Sequence, residues 1–228
     1  MSDRPTDRAP RAPSAAPEPL PPAPPEATAR FGADVLARLQ DYGEQLASAG
    51  VLRGLIGPRE VPRLWDRHLL NCAALAEAIS EKETVADIGT GAGLPGLVLA
   101  LVRPDLKIIL IEPLERRCSF LHEMIKRYQL APRVTVKRGK AHLIPACAAD
   151  VVTSRAVASL DTLAGWSFPH LRLGGRLLAL KGDRAEEELA SARPLLATWG
   201  ADVEATVVSC GATWLPQPVK IVSATRRR

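Results

Sequence analysis

The sequence predicts an α/β fold in which a mostly parallel sheet is covered by helices on both faces. Three observations support this prediction. From Thr84 onward, short apolar runs alternate with amphipathic stretches. The first run leads directly into a glycine-rich turn, in the segment VADIGTGAGLPG. The last two strand-like runs have no helix between them. Alternating strands and helices are typical of parallel sheets, whereas two adjacent strands without a helix favour an antiparallel strand at one end.

Two helical segments precede the predicted sheet. Apolar residues recur at helical spacing over residues 30–49 and again over residues 61–79, and Gly57-Pro58 breaks the pattern between them. Residues 1–29 contain nine of the 20 prolines and almost no large apolar residue. We expect this segment to be a disordered, partly polyproline tail, because it buries too little apolar surface to offset the entropy of ordering.

The sheet itself is predicted from seven short runs and the stretches between them. The runs are TVADI, KIILIE, RVTVKR, DVVTSRA, GGRLLALKG, DVEATVVSC and PVKIVSAT. Helices are predicted after the first two runs, and a polar helix is predicted from Ala185 to Thr198. We therefore expect one domain over residues 30–228, with N-terminal helices in residues 30–80 and the sheet in residues 84–228.

Charge, hydrophobic runs and cysteine spacing indicate whether the protein can bind nucleic acid, enter a membrane or depend on a metal or disulfides. The chain has 228 residues and a net charge of +5, and residues 30–228 carry 27 basic and 21 acidic residues, a balance that permits nucleic-acid binding. No run resembles a signal peptide or a membrane span. The four cysteines are far apart without a C-x-x-C motif, so neither a metal site nor a disulfide framework is predicted. We expect a cytoplasmic protein without membrane contact.

The glycine turn predicts a ligand site. Gly91 to Gly96 spell G-x-G-x-x-G, and both Gly89 and Asp87 stand ahead of this motif. Glycine permits positive φ and lets a ligand approach the backbone, and ligands of open α/β sheets bind beyond the carboxyl ends of the strands. The simpler alternative is a tight strand–helix turn without a ligand, which four glycines in eight residues disfavour.

Two acidic residues bear on the identity of the ligand. Glu112 ends the next strand, 19 residues after Gly93, where a carboxylate can accept hydrogen bonds from ribose hydroxyls. Both NAD and S-adenosylmethionine carry such a ribose, so Glu112 does not decide between them. Asp87 can orient the loop or meet an ammonium group, and it would be badly placed beside a pyrophosphate. This favours S-adenosylmethionine, and an NAD-dependent oxidoreductase stays as the alternative.

The motifs also resemble a known family. DIGTGAGLPGLVLALVRPDLKIILIEPLERRCSFL looks like the glycine turn and second strand of the RsmG (GidB) family, the bacterial 16S rRNA guanine-N7 methyltransferases. WDRHLLN, DVVTSRAVASL and LLALKG extend the resemblance over most of residues 60–185. It implies a class I S-adenosylmethionine-dependent methyltransferase with a Rossmann-like sheet, and a partner that is 16S rRNA or the small ribosomal subunit. A non-catalytic ribosome-binding protein that kept the fold is the second alternative. We expect a monomer.

The resemblance and the glycine turn together assign the cofactor-binding residues. They are Asp87, Gly89, Gly91, Gly93, Leu94, Glu112, Ala141, His142 and Arg155. Glu112 takes the ribose role that is usually filled by Asp in the family. His142 is a departure, because the family motif commonly reads G-R-A-E where this chain has GKAH over residues 139–142.

Guanine N7 carries no proton, so methyl transfer to it needs positioning groups rather than a general base. Arg155, at the end of the fourth strand, is the first candidate catalytic residue, and pairing with a structural acid such as Asp87 is its alternative role. Lys181, at the end of the fifth strand, is the second candidate, and a merely solvated lysine is its alternative. Arg67 is a further candidate for facing the RNA. The basic residues 116, 117, 126 and 127 are expected to form a solvated helix face, and residues 226–228 an RNA-binding tail or a frayed end.

Overall fold

The computed structural model describes residues 18–155, 158–201 and 204–228. Within these described residues, seven strands form one sheet in the order β3-β2-β1-β4-β5-β7-β6. The strands are β1 (Thr84–Ile88), β2 (Lys107–Glu112), β3 (Val134–Arg138), β4 (Ala149–Arg155), β5 (Leu171–Leu180), β6 (Thr206–Cys210) and β7 (Val219–Thr225). β1 to β5 pair in parallel, whereas β7 is antiparallel to both β5 and β6. The predicted parallel sheet with an antiparallel C-terminal strand is confirmed.

Helices cover both faces of the sheet. They are α1 (Pro25–Arg30), α2 (Ala33–Gln45), α3 (Leu70–Ala74), α4 (Gly96–Val102), α5 (Glu115–Arg127), α6 (Leu160–Ser167) and α7 (Ala185–Thr198). One core packs the sheet against α2, α3, α4 and α5, and a second packs it against α6 and α7. In β1, Val85 belongs to the first core and Ala86 to the second, because successive side chains of a strand point to opposite faces.

The N-terminal helices are less regular than the sequence pattern predicts. α2 continues into a wider helical turn over Leu46–Gly50. The second helical segment starts as a tight turn, Pro58–Arg63, widens over Leu64–Leu69, and becomes α-helical only in α3 before a last tight turn over Leu75–Ala78. Pro62 lies inside the first of these turns, where it cannot donate a backbone hydrogen bond. We refer to residues 58–78 as the bridging helix.

The predicted disordered tail is wrong for residues 18–29, and residues 1–17 lie outside the described residues. Ala27 is fully buried in α1, and Leu20 packs against the first core. Trp65 Nε1 donates a hydrogen bond to the carbonyl oxygen of Pro21 at 3.1 Å. Proline removes backbone donors without removing acceptors, so an extended proline-rich segment can still be held by donors of the core and by its few apolar side chains.

The C-terminal arginines are held by the protein rather than frayed. Arg226 Nη1 donates to the carbonyl oxygen of Leu171 at 2.5 Å, and its guanidinium lies 5.2 Å from the ring centre of Trp199. The amides of Arg227 and Arg228 both donate to the carbonyl oxygen of Trp199. The side chain of Arg226 is thus occupied within the fold, which corrects both expected roles for this residue. None of the described helices has the length and apolar character that a membrane crossing requires.

Candidate active site

A cavity of about 740 Å³ opens where β1, β2 and β4 end. Its volume is within the range of small-molecule sites, and its place is that predicted for the ligand of an open α/β sheet. We call it the first cavity. Its lining residues come from the glycine turn, the end of β2, the loop after β3 and three more distant segments: Ile88, Gly89, Thr90, Gly91, Ala92, Leu94, Ile111, Glu112, Pro113, Leu114, Arg117, Gly139, Lys140, Ala141, His142, Arg155, Leu55, Ile56 and Trp166.

The glycine turn between β1 and α4 depends on backbone conformations that other residues rarely adopt. Gly89 and Gly91 have φ angles of 65° and 62° and both line the cavity. A Cβ added to Gly91 would meet only the Gly89 carbonyl oxygen, at 3.9 Å, so the space beside this residue is open. Gly93 differs, because its added Cβ would lie 2.9 Å from Tyr42 Oη and the residue does not line the cavity. Gly93 thus allows close packing behind the turn rather than the predicted cofactor contact.

Asp87 organises the turn from beneath. Its side chain is fully buried, and Oδ2 accepts hydrogen bonds from Thr90 Oγ1 at 2.5 Å and from the Gly96 amide at 2.8 Å. Oδ1 has no hydrogen-bond partner among the described residues. Burial raises the pKa of Asp87 to about 7, against the lowering effect of its two donors. Of the two roles predicted for Asp87, these contacts support orientation of the loop, and Asp87 is not among the residues that line the cavity.

Glu112 links β2 to the same turn. Its side chain is 1% exposed, and Oε2 accepts a hydrogen bond from the Gly91 amide at 3.0 Å. Oε1 accepts from the Leu114 amide at 3.0 Å, and Arg117 Nη1 lies 3.5 Å from Oε2. The carboxylate therefore fixes the glycine turn while it borders the cavity, at the strand end where the sequence predicts a ribose partner.

Tyr42 braces the turn from the N-terminal helices, which the sequence did not indicate. Its hydroxyl donates a hydrogen bond to the Ala92 carbonyl oxygen at 2.7 Å, and the whole side chain is buried. Leu55 and Ile56, which follow α2, also line the cavity. The sequence placed Tyr42 on the apolar side of an amphipathic helix, and helical spacing alone contains no signal for a partner 50 residues away.

The loop after β3 supplies one wall. Ala141 is buried, and its carbonyl oxygen lies 2.8 Å from His170 Nε2 in a hydrogen bond that fixes the loop against the short helical turn Phe168–His170 after α6. His142 is exposed, and its ring centre lies 6.0 Å from that of Trp166 at an interplanar angle of 30°. Where the family commonly has Glu, this chain thus places an aromatic pair beside the cavity.

Arg155 lies at the end of β4 and lines the cavity, as predicted. It is half-buried, and no hydrogen bond or ion pair of its side chain is found within residues 18–155, 158–201 and 204–228. The alternative of a pair with Asp87 is therefore not what the structure contains. Burial lowers the pKa of His68, and the positive charge of Arg155 lowers it further.

Known proteins match this chain over most of its length. The family described as rRNA small subunit methyltransferase G (GidB) matches residues 35–213. The ribosomal RNA small subunit methyltransferase G of Mycobacterium sp. (strain KMS) is 54% identical over 208 residues, which cover 89% of this chain and 90% of that protein. The protein of the same name from Streptomyces avermitilis is 58% identical over 196 residues, covering 84% and 80%. This chain belongs to the GidB family. The predicted family is confirmed.

Solved structures agree on the fold. A SAM-dependent O-methyltransferase from Thermotoga maritima has a TM-score of 0.54 at 16% identity, covering 70% of this chain and 65% of that one. A protein from Corynebacterium glutamicum has a TM-score of 0.55 at 16% identity, covering 89% and 94%. The Rossmann-like architecture of class I methyltransferases, which the family resemblance implied, is confirmed.

Lys181 does not stand free on the rim of the first cavity. Its ammonium donates to the Ala158 carbonyl oxygen at 2.6 Å and forms an ion pair with Glu188 at 2.9 Å. The side chain is 6% exposed, and Lys181 lines a different cavity, on the side of α6 and α7. Neither predicted role of Lys181, a catalytic residue at the first cavity or a solvated lysine, fits these contacts, because an ammonium that is almost fully buried needs a carboxylate partner.

Arg117 also departs from its predicted role on a solvated helix face. It lines the cavity and its guanidinium approaches Glu112, as given above. Arg127, the last residue of α5, instead pairs with Asp41 at 2.5 Å, and both side chains are partly exposed. In the part of the chain that the structure describes, no group of three or more His, Cys, Asp or Glu residues could hold a metal ion.

Proposed function

We propose that this chain transfers a methyl group from S-adenosylmethionine to N7 of a guanosine in 16S ribosomal RNA. One observation carries the proposal. In a member of an rRNA methyltransferase family, the glycine turn and the strand-ending Glu112 border one cavity of about 740 Å³. The proposed partner is 16S rRNA or the small ribosomal subunit, and such a substrate implies a cytoplasmic enzyme. We expect it to act as a monomer.

The residues of the first cavity fit this cofactor. The positive-φ glycines 89 and 91 leave open backbone beside the cavity, where a ligand can approach closely. Glu112 offers carboxylate oxygens for ribose hydroxyls, and Ala141, His142 and Trp166 form a wall that suits the flat face of adenine. When bound, S-adenosylmethionine supplies an electrophilic methyl group on a sulfonium.

The chemistry requires position more than proton transfer. Guanine N7 presents a lone pair and no proton, so no residue has to act as a general base. The half-buried Arg155, without an ion pair among the described residues, can donate hydrogen bonds to the cofactor or to the RNA beside the cavity. A guanidinium at this place acts as a positioning group, which holds the reactants near attack distance.

A methyl-transfer assay tests the proposal. The purified protein is incubated with labelled S-adenosylmethionine and either naked 16S rRNA or assembled small subunits, and the site is mapped by chemical cleavage at N7-methylguanosine. We expect one labelled guanosine in one of the two substrates. Absence of label from both substrates would refute the proposal, and label on a base position other than N7 would refute the assigned acceptor.

Two further measurements separate the alternatives. Calorimetric titration should show binding of S-adenosylmethionine and none of NADH, and the reverse result would favour an oxidoreductase. The single-turnover rate of transfer should stay flat between about pH 6 and 9, where a working histidine or cysteine base would titrate. A rate that rises with one enzyme pKa, and loses that dependence when His142 or His68 is replaced, would contradict the positioning mechanism.

A further inference from the structure

A second cavity, of about 860 Å³, lies at the same edge of the sheet. Gly182 and Asp183, which follow β5, and Lys220, near the start of β7, border it on one side. Arg67 and Asn71 of the bridging helix border it on the other. We propose that this cavity receives the target guanosine of the RNA with its phosphates, an inference that rests on the proposed function.

The second cavity is close to the first because neighbouring strands end together. Arg155 at the end of β4 is the register partner of Leu180 in β5. The Lys181 amide donates to the Lys220 carbonyl oxygen in β7 at 3.3 Å. Strands are spaced roughly 5 Å apart, so the ends of β4 and β7 are separated by roughly 10 Å, about the size of one nucleoside. A base held over β5 and β7 can therefore reach the region of Arg155.

The bridging helix carries a buried pair of side chains beside the pair that lines the second cavity. His68 is 7% exposed and Cys72 is fully buried; burial dominates the pKa shifts of both, and the charge of Arg155 contributes to each. Arg67 and Asn71 line the second cavity. Each pair has the i, i+4 spacing that places two side chains on one side of a helix. The side of the bridging helix next to the buried pair His68 and Cys72 therefore borders the second cavity.

The polar groups of the second cavity match a guanosine nucleotide. Asp66 and Asp183 line it, are exposed, and form no hydrogen bond or ion pair within the described ranges. Carboxylates and the Asn71 amide oxygen can accept from the N1–H and N2–H₂ donors of guanine. Arg63 and Arg67 supply guanidinium groups for phosphate.

Carboxylates that bind the amino edge of guanine would leave its N7 edge free. N7 and O6 lie on the edge of guanine opposite to the N2 amino group. If the carboxylates hold the amino edge, the N7 edge is turned away from them and can face Arg155 and the first cavity. Enzymes that modify a base take it out of its stack into a pocket, and the second cavity provides the space for that step.

The test compares RNA methylation with cofactor binding in the full chain. Arg67→Ala removes a charge from the second cavity, and Gln217→Trp fills part of it from an exposed lining position. Each variant should raise the KM for the RNA substrate at least about tenfold, as expected for a lost charge-assisted contact or a blocked site. The dissociation constant of S-adenosylmethionine, measured by calorimetry, should stay within about twofold of the wild type.

Arg38→Ala is the matched control, because Arg38 is an exposed arginine on α2 that lines neither cavity. It should leave both KM and cofactor affinity unchanged. An unchanged KM in both test variants would overturn the inference while the proposed function survives. A parallel loss of cofactor affinity would also overturn it, because the effect would then come from the first cavity or the fold. Loss of methylation in the wild type would instead refute the proposed function.

Discussion

At the ends of β1 and β2, two buried carboxylates hold the backbone of the glycine turn. At the ends of β4 and β5 there are two cations, of which one forms an internal ion pair and the other does not. Asp87 and Glu112 each accept at least one turn amide. Lys181 is neutralised by Glu188, and Arg155 stands without an ion pair in the described part of the chain. The first half of this edge is fixed by its own hydrogen bonds, and the second half keeps one guanidinium available.

This difference fits what each half has to bind. A small cofactor is bound best by a turn whose shape exists before the ligand arrives, because less entropy is then lost on binding. RNA presents phosphates and a base that must be brought into place, and a half-buried guanidinium without an internal partner can respond to them. Substitutions in each half of this edge should therefore affect cofactor binding and RNA methylation differently.

The largest loss of cofactor affinity is expected at Gly91, because its positive φ is a backbone conformation that other residues rarely adopt. Gly91→Val should abolish measurable binding of S-adenosylmethionine, because the φ of 62° is strained for a β-branched residue and the side chain would enter open space beside the cavity. Calorimetry gives the affinity and circular dichroism checks the fold. Gly165→Val, at a glycine without positive φ and with open space around it, is the control. Retained affinity in folded Gly91→Val would place the cofactor elsewhere.

Arg155 and Lys181 should respond in opposite ways. Arg155→Ala should slow methyl transfer by on the order of 1–3 kcal/mol in transition-state free energy, with little change in the unfolding midpoint, because only a ligand contact is lost. Arg155→Lys should recover part of the rate, since an ammonium lacks the planar fork. Lys181→Met should instead lower the unfolding midpoint, because Glu188 loses its cation. Single-turnover kinetics measure the rate of methyl transfer, and thermal unfolding measures the unfolding midpoint. A lower midpoint in Arg155→Ala together with a slower transfer and unchanged midpoint in Lys181→Met would contradict these roles.

Tyr42→Phe tests whether the turn is braced from the N-terminal helices. Loss of the hydrogen bond to Ala92 should weaken cofactor binding by about 1 kcal/mol, roughly fivefold, because the buried carbonyl oxygen loses its donor. Tyr128→Phe is the control, since its hydroxyl donates to Asp41 outside the cavity. Equal effects of the two substitutions on cofactor affinity would show that Tyr42 does not act through the turn.

The smallest effect is expected from Asp87→Asn, as a change in how the free energy of unfolding depends on pH. The folded pKa of Asp87, about 7, is above its ordinary value of 3.8, so its protonation favours the folded state. That contribution is complete below pH 3.8 and is lost as the pH rises through 7. Asparagine does not titrate, so the stability of Asp87→Asn relative to wild type should increase from pH 5 to pH 8. Denaturant unfolding at both pH values measures it, and a constant difference would refute the raised pKa.

Sequence patterns predicted the elements that depend on local chemistry. The alternation of apolar runs predicted the sheet, and α7 has the predicted bounds Ala185–Thr198. Besides Ala141 and His142, which the family resemblance assigned, the first cavity is bordered by the locally predicted Gly89, Gly91, Glu112 and Arg155. These predictions succeeded because strand ends, turn glycines and helix periods are set by neighbours in the chain. The family motifs supplied the functional assignment that composition left open.

The missed features depend on contacts between distant segments. Tyr42 meets Ala92 across 50 residues, and Lys181 meets Glu188 through the packing of α7 after β5. Leu20 and Ala27 pack although the segment around them is rich in proline. No local pattern distinguishes a lysine that will be neutralised by a half-buried carboxylate from one that will stay available for RNA.

The position of Trp166 has a spectroscopic consequence. Its indole borders the first cavity beside His142, whereas Trp199 stacks on Phe168 and Trp65 is held by Pro21. An adenine that enters beside Trp166 changes the polarity and quenching around this ring, so the emission of the unlabelled protein should follow cofactor entry in real time. Trp166→Phe should remove that change, which would make association and dissociation rates measurable without a radioactive methyl group.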